Sequence, residues 1–175
     1  MSKRTGKLIT LTDLLEDISV DAVRFFFNLR SAGTHLDFDL GLAKRQSNDN
    51  PVYYVQYAHA RICSIIRGLN ENGISVPQYG EIDCSMLTAK EELDILRKLA
   101  ELPEEVTIAA NTLEPSRLTR YVMDMSALFH SFYNACRVRG AEEPVLLARL
   151  KLIDSVRIVL RSILELLKIS APEAM

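Results

Sequence analysis

Tryptophan is absent, and glycine (7) and proline (6) are scarce in a chain of 175 residues. A many-turned β architecture needs those turn formers, so their shortage favours helices. Cysteine is sparse too. Cys63, Cys84 and Cys136 are odd in number and lack metal-ligand spacing, so no metal site is expected from them. Cys63 and Cys136 fall on the apolar sides of helical patterns, which reads as buried free thiols suited to a reducing cytoplasm. No signal peptide and no apolar run of transmembrane length appears, so no membrane partner is expected. G-x-G-x-x-G, P-loop, H-E-x-x-H and G-x-S-x-G patterns are all missing, which removes the common nucleotide, zinc-protease and hydrolase devices. A net charge of −2 carries no global sign of a polyanion partner, so any nucleic-acid surface must be local and DNA is not expected. What remains is an ordinary globular composition, 48% hydrophobic and 25% charged, sufficient for one or two domains with a proper core.

The most informative stretch is Asn48–Arg67, N-D-N-P-V-Y-Y-V-Q-Y-A-H-A-R-I-C-S-I-I-R. Asn50 can cap a helix that starts at Pro51, where no amide donor is needed. The pattern continues to Leu69, and Gly73 supplies a stop. At helical spacing Val52, Val55, Ala58, His59, Ile62, Ile65, Ile66 and Leu69 share one side, as core. Tyr53, Tyr54, Tyr57, Arg61 and Ser64 share the other. Three tyrosines and an arginine are made to stack and hydrogen-bond rather than to be merely solvated, and Tyr57 sits at the centre of that face.

Elsewhere the pattern predicts helices throughout. Residues 1–10 read as a mobile loop. Thr12 and Asp13 start a short helix with Leu14, Leu15 and Ile18 inward, and a second helix covers about Asp21–Arg30. Val23, Phe26, Phe27 and Arg30, widened by Phe25 and Leu29, give that helix a face too apolar for water. Asp39–Gln46 adds a turn or two, with Asp37 or Asp39 as its cap. Ile74–Leu87 is expected to be a flexible connector, and Thr88 with Glu91 has the capping-box form. Pro103 is expected to split the next helix from a shorter one marked by Val106, Ala109, Ala110 and Leu113. A long helix over about Ser116–Val138 has an apolar stripe (Leu118, Tyr121, Val122, Met125, Leu128, Phe129, Phe132, Cys136) beside a polar one (Ser126, His130, Tyr133, Asn134, Arg137). Gly140 ends it, and the last helix runs from Pro144 to about Lys168, with a short tail to Met175. The expectation is an all-α helical bundle preceded by short bridging helices.

Candidate chemistry is thin. His59 belongs to the core side. The run His35–Asp39 (H-L-D-F-D) sets carboxylates near an imidazole but on a turn without fixed geometry. Between Arg117 and Arg161, the cations Arg117, Arg120, Arg137, Arg139, Arg149, Lys151, Arg157 and Arg161 outnumber Asp124, Glu142, Glu143 and Asp154. Arginine forks onto phosphates and stacks on bases, while pairs such as Asp154 with Arg157 would make the same residues a plain salt-bridged face.

Several blocks together resemble a family. M-S-K-R-T-G at 1–6, V-D-A-V-R-F-F-F at 20–27, H-L-D-F-D at 35–39, S-N-D-N-P-V-Y-Y-V-Q-Y-A-H-A-R at 47–61 and F-H-S-F-Y-N-A-C-R-V at 129–138 are similar to the C-terminal part of bacterial arginyl-tRNA synthetases. The terminal S-A-P-E-A-M is similar to that family's ending, and the resemblance covers essentially the whole chain. It implies a class I ligase that joins arginine to its tRNA using ATP with magnesium, and an anticodon-binding helical bundle at residues 49–175. Residues 1–48 would be the end of the catalytic region and its bridging helices.

The resemblance further implies that Lys3 lies in a signature loop that stabilises ATP phosphates, although arginine replaces the final serine of that signature and its first lysine would precede the chain. The H-I-G-H-type signature and the nucleotide-binding fold are absent, so the chain alone is expected to bind no cofactor and to be inactive without its N-terminal catalytic domain. Family anticodon contacts carry over to Tyr57, Arg61, Tyr133, Asn134, Arg137 and Met175, with Arg137 standing where some relatives carry tryptophan. The alternatives are a helical protein–protein or dimerisation module, argued from the Val23–Leu29 face, or the equivalent domain of a related class I synthetase such as a cysteinyl one. A free-standing enzyme using His35, Asp37 and Asp39 is the remaining reading.

Overall fold

The computed structural model describes residues 10–78 and 80–175. Lys3, the signature-like stretch around it and all of the expected mobile start except Thr10 lie outside the described residues. Among those described, the chain forms seven α-helices, one short 3-10 turn and no strand.

Helix α1 (Leu11–Asp17) begins one residue before Thr12, where it was expected to start. Thr10 is the cap, accepting from the Asp13 amide (3.2 Å), while the Asp13 carboxylate accepts from the Thr10 amide (2.8 Å). Asp13 therefore closes a reciprocal capping box instead of starting the helix. Leu14 and Ile18 turn inward, but Leu15 is exposed. Helix α2 (Val20–Asn28) is capped by Ser19. Its Ala22, Val23, Phe25 and Phe26 are buried against the bundle, so the chain itself covers most of the face that suggested a docking partner. Phe27 does not join it. It is 51% exposed and leans on Phe38, ring centroids 5.7 Å apart. Helix α3 (Leu40–Ala43) is a single turn capped by Asp39, whose carboxylate accepts from the Leu42 amide at 3.0 Å.

Helix α4 (Pro51–Asn70) follows the expected bounds, with Pro51 in the first turn and Gly73 at φ +79 in the turn beyond its end. Asn50 shows why an amide suits this cap. Its oxygen accepts from the Val52 amide (3.3 Å), and its nitrogen donates to the Ala43 (3.1 Å) and Arg45 (2.8 Å) carbonyls, tying α3 to α4. The connector after α4 is held down rather than loose. Pro77 and Leu87 are buried, Lys151 Nζ donates to the Pro77 carbonyl (3.0 Å), and Cys84–Met86 make a 3-10 turn against the last helix.

Helix α5 (Lys90–Thr112) departs from expectation at both ends and in the middle. Its cap is Ala89, not Thr88, and Glu92, not Glu91, returns its carboxylate to the cap amide at 2.8 Å. The one-residue shift lets the other oxygen of fully buried Glu92 receive Arg149 Nε at 2.6 Å. Pro103 lies inside one continuous helix. A proline removes one amide donor, which tertiary anchors can offset. Tyr121 Oη donates to the Lys98 carbonyl (2.6 Å) before it, and Glu105 forks onto Arg117 (2.9 and 3.1 Å) after it. Leu113, expected within the shorter helix, lies just past the end of α5. It is the left-handed cap, at φ 55 and 84% exposed.

Helix α6 (Ser116–Ala135) stops three residues short of the expected end, and α7 (Glu143–Leu166) stops short of Lys168. Arg137 therefore sits on the loop between them. Ser126, assigned to the polar stripe, is buried and donates to the Val122 carbonyl at 2.7 Å. Helices α4, α5, α6 and α7 form the bundle. Helices α6 and α7 each pack on α4 and on α5, which do not meet each other, and α2 lies against α4 and α6. One hydrophobic cluster runs from Leu14 and Phe25 through Val55, Ile62, Phe129 and Phe132 to Ile153 and Leu164.

Candidate nucleic-acid interface

The polar faces of α4 and α6 meet at Arg61 and Tyr133. The Arg61 guanidinium carbon lies 4.7 Å from the centroid of the Tyr133 ring, and its Nη2 donates to Tyr133 Oη. Tyr133 is backed by buried Phe129, ring centroids 6.1 Å apart, and remains 37% exposed. An aromatic face fixed on one side and a cation laid over it leave little rotamer freedom to lose when a planar ligand arrives.

A cleft of about 410 Å³ opens beside this pair. Arg61, Ser64 and Ile65 line it from α4, Tyr133 and Asn134 from the last turn of α6, and Cys136, Arg137, Val138 and Arg139 from the loop. No acidic residue is among them. Asn134 is exposed, with an amide that can both donate and accept. Arg149 Nη1 holds the Arg137 carbonyl at 2.7 Å, which fixes the loop's start while the Arg137 side chain faces outward. The Cys136 thiol is buried, and burial pushes its pKa up, so it is a wall and not a nucleophile.

A second pocket of about 130 Å³ shares Arg61 and Ser64 with the first and adds Tyr57, Ala60, Arg67, Glu173, Ala174 and Met175. The structure thus brings together all six residues expected around the anticodon. Arg61, Tyr133, Asn134 and Arg137 meet in one cleft, Tyr57 and Met175 in its neighbour, with Arg61 common to both. The three tyrosines separate. The Tyr57 ring lies near-parallel to Tyr53 (centroids 6.3 Å apart, 8°) and to His130 (5.9 Å, 20°). Tyr54 is tucked against His130 at 4.7 Å and burial raises its pKa, which makes it an inter-helix packing group. Tyr53 lines a separate groove with Lys44, Arg45 and Met175. His130, wedged among Tyr54, Tyr57 and Phe129, is held neutral by burial, which lowers its pKa.

Counting charges along the sequence overstated the basic character of residues 117–161. Arg117 pairs with Glu105, Arg149 with Glu92, Arg157 with Asp154 and Arg161 with Glu165, and Lys151 serves the Pro77 carbonyl. Among the described residues Arg61, Arg67, Arg137 and Arg139 have no carboxylate within ion-pair distance, and these four line the two pockets. Arg67, Arg139 and Val138 were not among the expected contacts, and Ser64 was placed on the tyrosine face by helical spacing without being given a contact role. Arg139 could not be found that way. It lies across Gly68 of α4, where a Cβ would overlap its guanidinium.

The remaining candidates separate from this site. His35 and Asp37 are 3.2 Å apart on an exposed turn, and Asp39 is occupied as the α3 cap. His59 is core, 1% exposed, with Nδ1 2.9 Å from the Pro172 carbonyl. Among the described residues no three His, Cys, Asp or Glu side chains gather as a metal site, and no helix is long and apolar enough to cross a membrane.

The family described as the DALR anticodon binding domain matches residues 55–175. Over all 175 residues the chain is 60% identical to an arginine–tRNA ligase of Ruminiclostridium cellulolyticum and 57% identical to one of Acetivibrio thermocellus. In each case it spans about 31% of the relative's length. Its structure is similar to a Thermus thermophilus arginyl-tRNA synthetase, with TM-score 0.77 and 28% identity, covering 99% of this chain and 29% of that one.

Proposed function

The chain belongs to the DALR anticodon-binding domain family, and from that footing we propose that it reads the anticodon loop of a tRNA for arginine as part of an arginine–tRNA ligase. The observation that carries this reading is the acid-free cleft in which Arg61, Tyr133, Asn134 and Arg137 converge. Unstacked bases need an aromatic platform, amide edges to read and cations for the flanking phosphates, and the cleft offers all three. On this reading bases stack on Tyr133 and Tyr57, Asn134 pairs with a base edge, and Arg61, Arg137 and Arg139 meet phosphates or base edges, with Met175 closing the second pocket.

The full enzyme would join arginine to that tRNA with ATP and magnesium, in the reducing cytoplasm that three free thiols suit. On this reading ATP and magnesium belong to the rest of that enzyme. Lys3 would meet the ATP phosphates only there. Residues 1–48 serve as the end of the catalytic region with its bridging helices, and residues 49–175 as the anticodon-reading bundle. A docking module is less well supported, because α4 and α6 cover most of the α2 face that argued for one.

The test is titration of a tRNA for arginine against a tRNA for another amino acid. Tyr133→Ala and Tyr57→Ala should each weaken binding of the first by about 5- to 150-fold, the range of one missing stack. Helix content should not change. Unaltered affinity in both variants, or a stable homodimer indifferent to tRNA in gel filtration, overturns the reading.

A further inference from the structure

Two residues of the Q-Y-A-H-A-R block, Gln56 and His59, reach neither pocket that holds the candidate RNA-reading groups. They face the last residues of the chain instead. After α7 the backbone turns at Lys168 (φ 58), Ile169 is buried, and the segment runs back across α4. Gln56 Nε2 donates to the Ser170 carbonyl (3.0 Å) and to Asp21 Oδ2 (2.9 Å), and Ser170 gives its own amide to Asp21 Oδ1 (3.2 Å). One helical turn further on, His59 Nδ1 meets the Pro172 carbonyl. A carbonyl only accepts, so Nδ1 carries the proton. Arg67 then donates to the Glu173 carbonyl at 3.3 Å. These successive anchors along one face of α4 lead to Met175, which lines the pocket beside Tyr57.

We propose that Gln56 and His59 are positioning residues that strap residues 170–172 to α4 and so deliver Met175 to the RNA-reading face. The proposal rests on the RNA-binding reading above. An unstrapped tail would have to be ordered anew at each binding event, and that lost freedom lowers affinity. The contribution of Gln56 and His59 to binding therefore passes through the tail and not through contact with RNA.

A double-mutant cycle against a chain ending at Pro172 tests this. In the whole chain Gln56→Met and His59→Leu should each weaken binding of the arginine tRNA by about 5- to 10-fold, the scale of removing a buried hydrogen bond. In the shortened chain the same substitutions should change it less than about twofold, because the segment they deliver is gone. His59→Asn keeps a donor near the Nδ1 position and should restore most of the affinity. Equal losses in whole and shortened chains would mean a general structural role and overturn the proposal. A second readout is independent of RNA. The carbon-13 methyl resonance of Met175 should report a restricted side chain in the unsubstituted protein and a mobile one in Gln56→Met and His59→Leu. An unchanged resonance in both variants also overturns the proposal. Failure of the unsubstituted chain to bind RNA refutes the functional reading, and the methyl experiment still decides the strap.

Discussion

Replacing Arg149 with methionine strands a carboxylate in the bundle. Glu92 is 0% exposed, and each of its two oxygens has a partner: one accepts from the Ala89 amide at 2.8 Å, the other from Arg149 Nε at 2.6 Å. Arg149 also donates Nη1 to the Arg137 carbonyl at 2.7 Å. R149M therefore leaves a buried anion without its cation and a carbonyl without its donor. Breaking a buried pair by removing one partner costs about 3–5 kcal/mol. The stability of a domain is of order 5–15 kcal/mol, so this loss is a large share of it. At about 2–4 °C per kcal/mol for a chain of this size, the melting midpoint should fall by roughly 6–20 °C. The double variant E92Q/R149M keeps an oxygen for the Ala89 amide and carries no charge, so it should recover most of the loss. Urea unfolding of the single and double variants measures both effects. A loss below about 1 kcal/mol in R149M, or a double variant no more stable than R149M, would refute the reasoning that desolvation of Glu92 dominates. RNA titration of the double variant then isolates what the tether on the Arg137 loop contributes to the cleft.

Salt dependence should separate free from paired arginines. Arg137→Gln or Arg139→Gln should lower the slope of log K against log salt by about 0.7 for each phosphate left unneutralised, whereas Arg161→Gln, already paired with Glu165, should leave it unchanged. Equal slopes in all three would remove the phosphate role. Gly68→Ala should raise helix stability by up to about 1 kcal/mol while displacing Arg139 from its seat, so thermal stability rises as RNA affinity falls. A parallel change in both refutes the seat. Burial holds His59 and His130 below the ordinary histidine value of 6.5. The unfolded chain then binds more protons than the folded one as pH falls through that value, so stability is full above it and declines toward the depressed folded-state pKa. Replacing both histidines with glutamine should flatten unfolding stability between pH 7 and 5, and an unchanged slope would show that other groups carry it.

Local rules reached as far as local physics does. The bounds of α4 followed from Asn50, Pro51 and Gly73, because capping and backbone freedom act within one turn. The choice between neighbouring caps did not follow. Thr88 with Glu91 and Ala89 with Glu92 offer similar local frames, and burial of Glu92 against Arg149, far along the chain, selected the second. Pro103 escapes the local rule for the same reason, since the anchors on either side of it come from α6. The tyrosine face of α4 was legible as a face, but its division into a stacked Tyr57, a packed Tyr54 and a groove-lining Tyr53 required the partner helix.

The sequence by itself determined that the chain is helical, which sides of α4 and α6 are apolar, and which family its blocks resemble. Each of these depends on composition or on periodicity within one element. Tertiary structure alone decided which arginines keep a free charge, how the loop after α6 seats Arg139 over Gly68, and where the tail sets Met175. Ion pairing and the course of a non-helical segment depend on residues distant in sequence. No local periodicity records which of them will meet.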